Sequence, residues 1–152
     1  MPGLNDWQRE IVDSVRRQAW TLRGPNQVVK VVPSGGVLAS TLGGYITLGR
    51  FLVGKTPLQI EKALGLPLGY LATGARIYRF ARLPQVTEYE YELTAEFPDG
   101  LAYNPASDDP SYLPGDQTVH QWRIRFGVQI PVDANSTLDL KVGQIVPYHW
   151  LA

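Results

Sequence analysis

Three stretches of this 152-residue chain carry residue types at spacings that could do chemistry. The first, Gly49-Arg-Phe-Leu-Val-Gly54-Lys55-Thr56, spells G-x-x-x-x-G-K-T. A P-loop uses that string to wrap phosphates in backbone amides while its Lys and Thr reach the terminal phosphate and magnesium. Here the interior, Arg50 to Val53, is bulky and mostly apolar, which asks for burial rather than phosphate contact. No β-α-β alternation of a parallel sheet surrounds it. The string therefore predicts a turn leading into a capped helix. The second stretch, Glu88-Tyr-Glu90-Tyr-Glu92, contains two overlapping E-x-E units. On a strand these put carboxylates on one face, where they could hold a proton or position a ribose hydroxyl, or simply form a solvated face. Mutual repulsion would raise one pKa if that face were buried. The third is Thr118-Val-His120-Gln121-Trp122, where His120 and Gln121 fall on opposite strand faces, so only one can enter a given cleft. Trp122 shares the His120 face and is expected in the core. Tyr70, Tyr78, Tyr103 and Tyr112 could offer stacking surfaces for a base or a nicotinamide ring.

Composition narrows the chemistry available to these groups. There is no cysteine, which removes disulfides, thiol nucleophiles and Cys-based metal sites, and two histidines are too few for a His-rich one. No metal cofactor is expected. Lys plus Arg and Asp plus Glu balance at 14 each, so no positive field exists to hold a nucleic acid backbone. No stretch approaches about 18 consecutive apolar residues, so no membrane span is expected. The opening MPGLNDWQRE lacks the basic region and apolar core of a leader peptide. If the protein is exported, its delivery information is expected elsewhere, in a larger parent polypeptide.

The elements that must position the candidate groups read as a single α+β domain over residues 1–152. Mainly antiparallel, twisted sheets of six to eight strands are joined to an N-terminal helix and one short middle helix. Asn5 or Asp6 can cap the first helix, whose apolar stripe runs from Trp7 to about Leu22. Thr56-Pro57-Leu58-Gln59 starts the second with a capping box, Ile60, Ala63 and Leu64 supply its buried side, and Gly65 ends it. Strands are expected at Gln27 to Val32, Val37 to Ser40, Tyr45 to Leu48, Ala75 to Arg82, Tyr89 to Phe97, Thr118 to Ile130 and Leu138 to Val146. A turn is expected at Asp133 to Ser136, and Pro98 to Gly115 reads as a long loop of the kind that often forms a lid. The 15 glycines and 12 prolines fit such short elements and many turns.

The order of these pieces resembles the NAD-consuming domains of bacterial polymorphic toxins, the tuberculosis necrotizing toxin-like NAD glycohydrolases, which are related to ADP-ribosyltransferases. The resembling run is Gln27 to Trp122: a strand with a basic residue (QVVKVV), the turn Gly44-Tyr45-Ile46-Thr47, the step Leu66-Pro67, the strand ARIYRF, and Gly115 to Trp122. The resemblance implies that Lys30 contacts the cofactor phosphates, with Arg23 as substitute in another register. It implies that Tyr45 and Thr47 line the nicotinamide pocket, with Tyr78 adding surface, and that Gln121 orients the ribose or the attacking water. The family usually has arginine where Lys30 stands, and lysine lacks the planar fork that grips a pyrophosphate. NAD would be the substrate, cleaved at the nicotinamide–ribose bond without a metal. The partners implied are an immunity protein or a larger parent polypeptide, and the site of action a target-cell cytoplasm. An ADP-ribosyltransferase is the nearest alternative, with Arg23 or Lys30, then Ser40-Thr41, then Glu92 of the E-x-E unit as its carboxylate. A non-catalytic binding or assembly module is the second, with Tyr148-His149-Trp150 as a docking end.

Overall fold

A computed structural model describes residues 20–85, 87–92 and 121–151. Among these residues seven strands form one sheet: β1 (Val28–Pro33), β2 (Thr41–Leu42), β3 (Tyr45–Leu48), β4 (Ala75–Phe80), β5 (Tyr89–Glu92), β6 (Gln121–Ile124) and β7 (Ile130–Leu140). Their order is β2-β7-β4-β1-β3-β6-β5, and every neighbouring pair is antiparallel. One helix, α1 (Pro57–Leu64), covers part of one face. The α+β architecture with an antiparallel sheet and a short middle helix is as the sequence implies. The expected N-terminal helix lies outside the described residues except for Trp20 to Leu22, which are not helical: Thr21 instead bridges Gln27. The loop from Pro98 to Gly115 and the strand residues beyond Glu92 also lie outside them.

Local sequence accounts for both ends of α1. Thr56 accepts a hydrogen bond from the Gln59 amide, the Gln59 side chain accepts one from the Thr56 amide, and Pro57 fills the first turn. Gly65 closes the helix in the left-handed conformation, at φ 66°. Eight residues are too few for a stable isolated helix, so burial of one side must hold it. Ile60, Ala63 and Leu64 do this against Val29, Val31, Ala75 and Ile77 of β1 and β4. The other face of the sheet carries a second cluster built from Val28, Ile46, Tyr78, Phe80, Trp122 and Ile130. Strand β4, near the middle of the sheet, is therefore buried along its whole length. Its alternation assigns Ile77 and Arg79 to the α1 side, and Tyr78 and Phe80 to the other.

Four expected elements differ. The strand expected at Leu138 to Val146 ends at Leu140, where the chain turns with the Gln144 amide donating to the Lys141 carbonyl, and Val146 makes only an isolated bridge to Val53. Val37 to Ser40 is not a strand; the pairing with β7 falls at Thr41 and Leu42. Thr118 to Ile130 is not continuous, because the chain turns at Phe126-Gly127 between β6 and β7. The residues Asp133 to Ser136 do not end a strand but lie within β7. Ile77 pairs with Leu138 and Arg79 with Asp133, so β7 makes an enlarged bulge between those pairs. Asp133 accepts hydrogen bonds from the Asn135 amide and the Ser136 hydroxyl, and Thr137 donates to the Ala134 carbonyl. These local bonds replace ladder bonds over the bulge, after which the strand resumes.

Arg79 ties the sheet to the C-terminal segment. Its guanidinium donates to Gln27 Oε1 at 2.6 Å and to the Trp150 carbonyl, and lies 4.1 Å from the centre of the Trp150 ring. Gln27 Nε2 donates to the same carbonyl at 3.2 Å. Gly49 is packed against this cluster so closely that a methyl group there would meet Gln27 Nε2 at 2.7 Å. Replacing Arg79 by Met should leave the buried Gln27 Oε1 without its donor and the Trp150 carbonyl with Gln27 Nε2 alone, and cost about 2–4 kcal/mol. Urea denaturation of Arg79→Met beside the wild type measures it; a loss below about 0.5 kcal/mol would show that the guanidinium does not organise this end of the fold.

Candidate functional site

Register brings together residues that are far apart in sequence. In the β5–β6 ladder Glu92 is the partner of Gln121, and Glu90 of Arg123. In the β3–β6 ladder Tyr45 is the partner of Arg123 and Ile46 of Trp122, which carries Thr47 to the level of Gln121. Partners across a ladder share a face, as do residues two apart on a strand. Thr47, Gln121 and position 92 thus form one row across three strands, and Tyr45, Arg123 and position 90 form the next row on the same face. That face is the α1 side, because Thr47 pairs with Val29 of the core under the helix.

The two rows differ in depth. Thr47 and Gln121 are buried, Tyr45 is half-buried, and Arg123 is exposed. Gln121 Nε2 donates at 2.9 Å to the carbonyl of Leu64, the last residue of α1. It thereby satisfies one of the carbonyls that a helix C-terminus leaves without an intrahelical donor. The Gln121 side chain is held in one orientation and couples β6 to the helix end.

Lys30 and Tyr78 lie on the opposite face. They are ladder partners between β1 and β4, and Tyr78 belongs to the cluster around Trp122 and Phe80. Lys30 Nζ donates to the Tyr45 carbonyl at 3.0 Å, reaching the backbone of β3 and not the row that holds Thr47. The Tyr78 hydroxyl accepts from the Ala39 amide and the ring is buried. Arg23 is further away, beside β7. It pairs with Asp133 at 2.8 Å and donates to Ser136, lining an open cleft of about 550 Å³ with Phe80 and Val132. Ser40 and Thr41 stand at the β2 edge of the sheet, while Glu92 stands at the β5 edge. No ladder pairs Ser40 or Thr41 with Glu92. His120 lies outside the described residues.

Of the E-x-E carboxylates, Glu88 is engaged by its own neighbours. Glu88 accepts two hydrogen bonds from Arg82, at 2.7 and 2.9 Å, and one from the Gln85 amide. The Arg82 guanidinium, with help from that amide, holds its pKa down to about 2, so Glu88 is an anion in a salt bridge and not a proton carrier. Glu61 is a buried group that sequence reasoning missed. Its Oε1 accepts from the Leu71 amide at 2.8 Å, while Oε2 is buried with no hydrogen-bond partner. The signal available was its place three residues before Leu64, on the edge of the apolar stripe of α1. Among the described residues no group of three His, Asp or Glu side chains is placed to hold a metal ion.

The G-x-x-x-x-G-K-T string is a turn and a cap. Gly49 to Phe51 forms a single 3₁₀ turn and Leu52 is fully buried. Its amides are used inside the fold: Gly49 donates to the Gln27 carbonyl, Arg50 to Pro25, Leu52 and Val53 to Gly49, Gly54 to Val146 and Lys55 to Leu52. Lys55 Nζ donates to the Phe51 carbonyl, and the Thr56 hydroxyl serves the helix cap. The donors that would cradle a phosphate are spent, as the apolar interior of the string implied.

Burial lowers the pKa of Lys30 to about 8, against 10.5 for an ordinary lysine. Between those values the unfolded chain binds the proton that the folded chain has released, so stability rises with pH across that window. Lys30→Met removes the cost of burying the charge. Its stability relative to wild type should therefore be most favourable near pH 7 and fall by up to about 3 kcal/mol by pH 10.5. Urea midpoints of the two proteins at both pH values test this, and a difference that does not change with pH would contradict it.

Compared with known proteins, the chain matches no family model, no curated protein and no solved structure, so a functional reading rests on its own geometry.

Proposed function

We propose that the protein consumes NAD, cleaving the bond between nicotinamide and ribose at the row formed by Thr47, Gln121 and Glu92. One observation carries this reading: the β5–β6 register makes Glu92 and Gln121 direct cross-strand partners. A carboxylate residue paired in register with a fixed amide suits a reaction whose transition state is a positively charged, oxocarbenium-like ribose. The carboxylate stabilises the developing charge, and the leaving nicotinamide needs no protonation by a metal-bound water. Gln121, clamped to the Leu64 carbonyl, acts as the positioning residue for a ribose hydroxyl or the attacking water.

The second row supplies the approach. Tyr45, half-buried beside the exposed Arg123, offers a ring for nicotinamide and a guanidinium for the pyrophosphate. Arg123 takes the phosphate role that the family resemblance would give to Lys30, which lies across the sheet. NAD is the substrate consumed. If the domain serves as a toxin, an immunity protein would be expected to cover the end marked by Tyr45 and Arg123.

The test is nicotinamide release from NAD by the purified protein, followed by chromatography, with Glu92→Gln and Gln121→Ala alongside. Each variant should lose at least about 100-fold in rate if its group acts on the transition state. Accumulation of free ADP-ribose identifies hydrolysis; nicotinamide release with ADP-ribose retained on an added protein identifies transfer. No release, together with no thermal shift on adding NAD, would overturn the reading and leave a non-catalytic binding module.

A further inference from the structure

Lys30 is partly withdrawn from water, with few protein groups to hold an ammonium. An ammonium has three protons to donate, and Nζ has one acceptor, the Tyr45 carbonyl. Its ladder partner Tyr78 has its hydroxyl bound to the Ala39 amide, and the neighbours on that face include Val28, Val32 and Ile46. No carboxylate pairs with Lys30 among the described residues. Desolvation without a compensating charge favours the neutral, nucleophilic amine, and the lowered pKa agrees with that.

The place would suit an amide nitrogen. Such a nitrogen is uncharged and has one N–H, which matches the single carbonyl in reach. The way in runs over Gly44, which is exposed and has φ 78°. A side-chain carbon at that position would lie 3.1 Å from Nζ, so the missing side chain leaves the amine approachable from solvent. Lys30 itself keeps part of its surface exposed.

We propose that Lys30 is a site of N-acylation that takes a short acyl group from an acyl thioester. The neutral amine attacks the thioester carbonyl, a C–N bond forms and the C–S bond breaks. The electron pair leaves on sulfur, and the proton lost from nitrogen ends on the thiol. The product amide keeps one N–H for the Tyr45 carbonyl and removes a buried charge. The modified face lies across the sheet from the Glu92–Gln121 pair, so the proposal does not depend on the NAD reading.

The experiment incubates the folded protein with acetyl-coenzyme A at pH 7.5 and follows acetylation of each lysine by mass spectrometry of chymotryptic peptides. Lys62 and Lys141, both exposed, serve as comparators in the same molecule. A larger neutral fraction, partly offset by lower basicity, should make Lys30 react at least about tenfold faster than either. In urea, where the fold is lost, the three rates should converge. Lys30 reacting no faster than Lys62 and Lys141 in the folded protein would overturn the proposal, as would an advantage that survives in urea.

Discussion

A guanidinium with no carboxylate in hydrogen-bonding contact stands at the centre of this fold. Arg79 projects from β4 into the side of the sheet that α1 covers, where Gln27, the Trp150 carbonyl and the Trp150 ring receive it. Burial and the nearby Arg23 charge work against it, lowering its pKa, while Asp133 works in its favour. A planar group with five N–H donors can satisfy several acceptors at once, which is why an arginine can be retained here. The start of β1, the C-terminal end of β4 and the segment after β7 meet at this one group. Gly49 follows from it, because the turn after β3 must pass against Gln27 without a side chain.

The candidate site depends on that framework through register. Once β1 and β4 are aligned, β3 is set by its pairing with β1, β6 by β3, and β5 by β6. Each step preserves faces, so the placement of Thr47, Gln121 and Glu92 in one row follows from pairings that begin at the centre of the sheet. The same bookkeeping separates Lys30 from Thr47. Val29 and Thr47 face α1, and Lys30, one residue further along β1, must face the other way.

Much of this was legible in the sequence where the cause is local. The box at Thr56 and Gln59 and the αL glycine at position 65 involve neighbouring residues only, so α1 could be read with its ends. The alternation in ARIYRF gave the two faces of β4, although burial on both sides reflects its place in the sheet. What depends on distant partners was not legible. Thr41-Leu42 becomes a strand because β7 reaches it, and no property of Val37 to Ser40 predicts that choice. Asp133 to Ser136 has turn chemistry and does turn, but β4 continues past it and recovers the ladder. For the site, residue types pointed to Gln121 and Glu92 under two rival readings, and the register that makes them partners lies beyond a single sequence. Glu61 and Arg123 were missed because burial and strand pairing, not residue type, single them out.

The strand order also constrains how the protein reaches this structure. β7, the last strand to be made, lies between β2 and β4, and β1 lies between β3 and β4. Among the described residues the β2 edge therefore has no partner in the sheet until β7 has been made, and Trp150 reaches Arg79 later still. Contacts between segments this far apart slow folding, since their closure entropy is spent before any packing compensates. The adjacent strands β3, β1 and β4, with α1 packed on them, all come from residues 28–80 and can pair before β7 is made, so it is the β2 and β4 edges that stay open until β7 arrives.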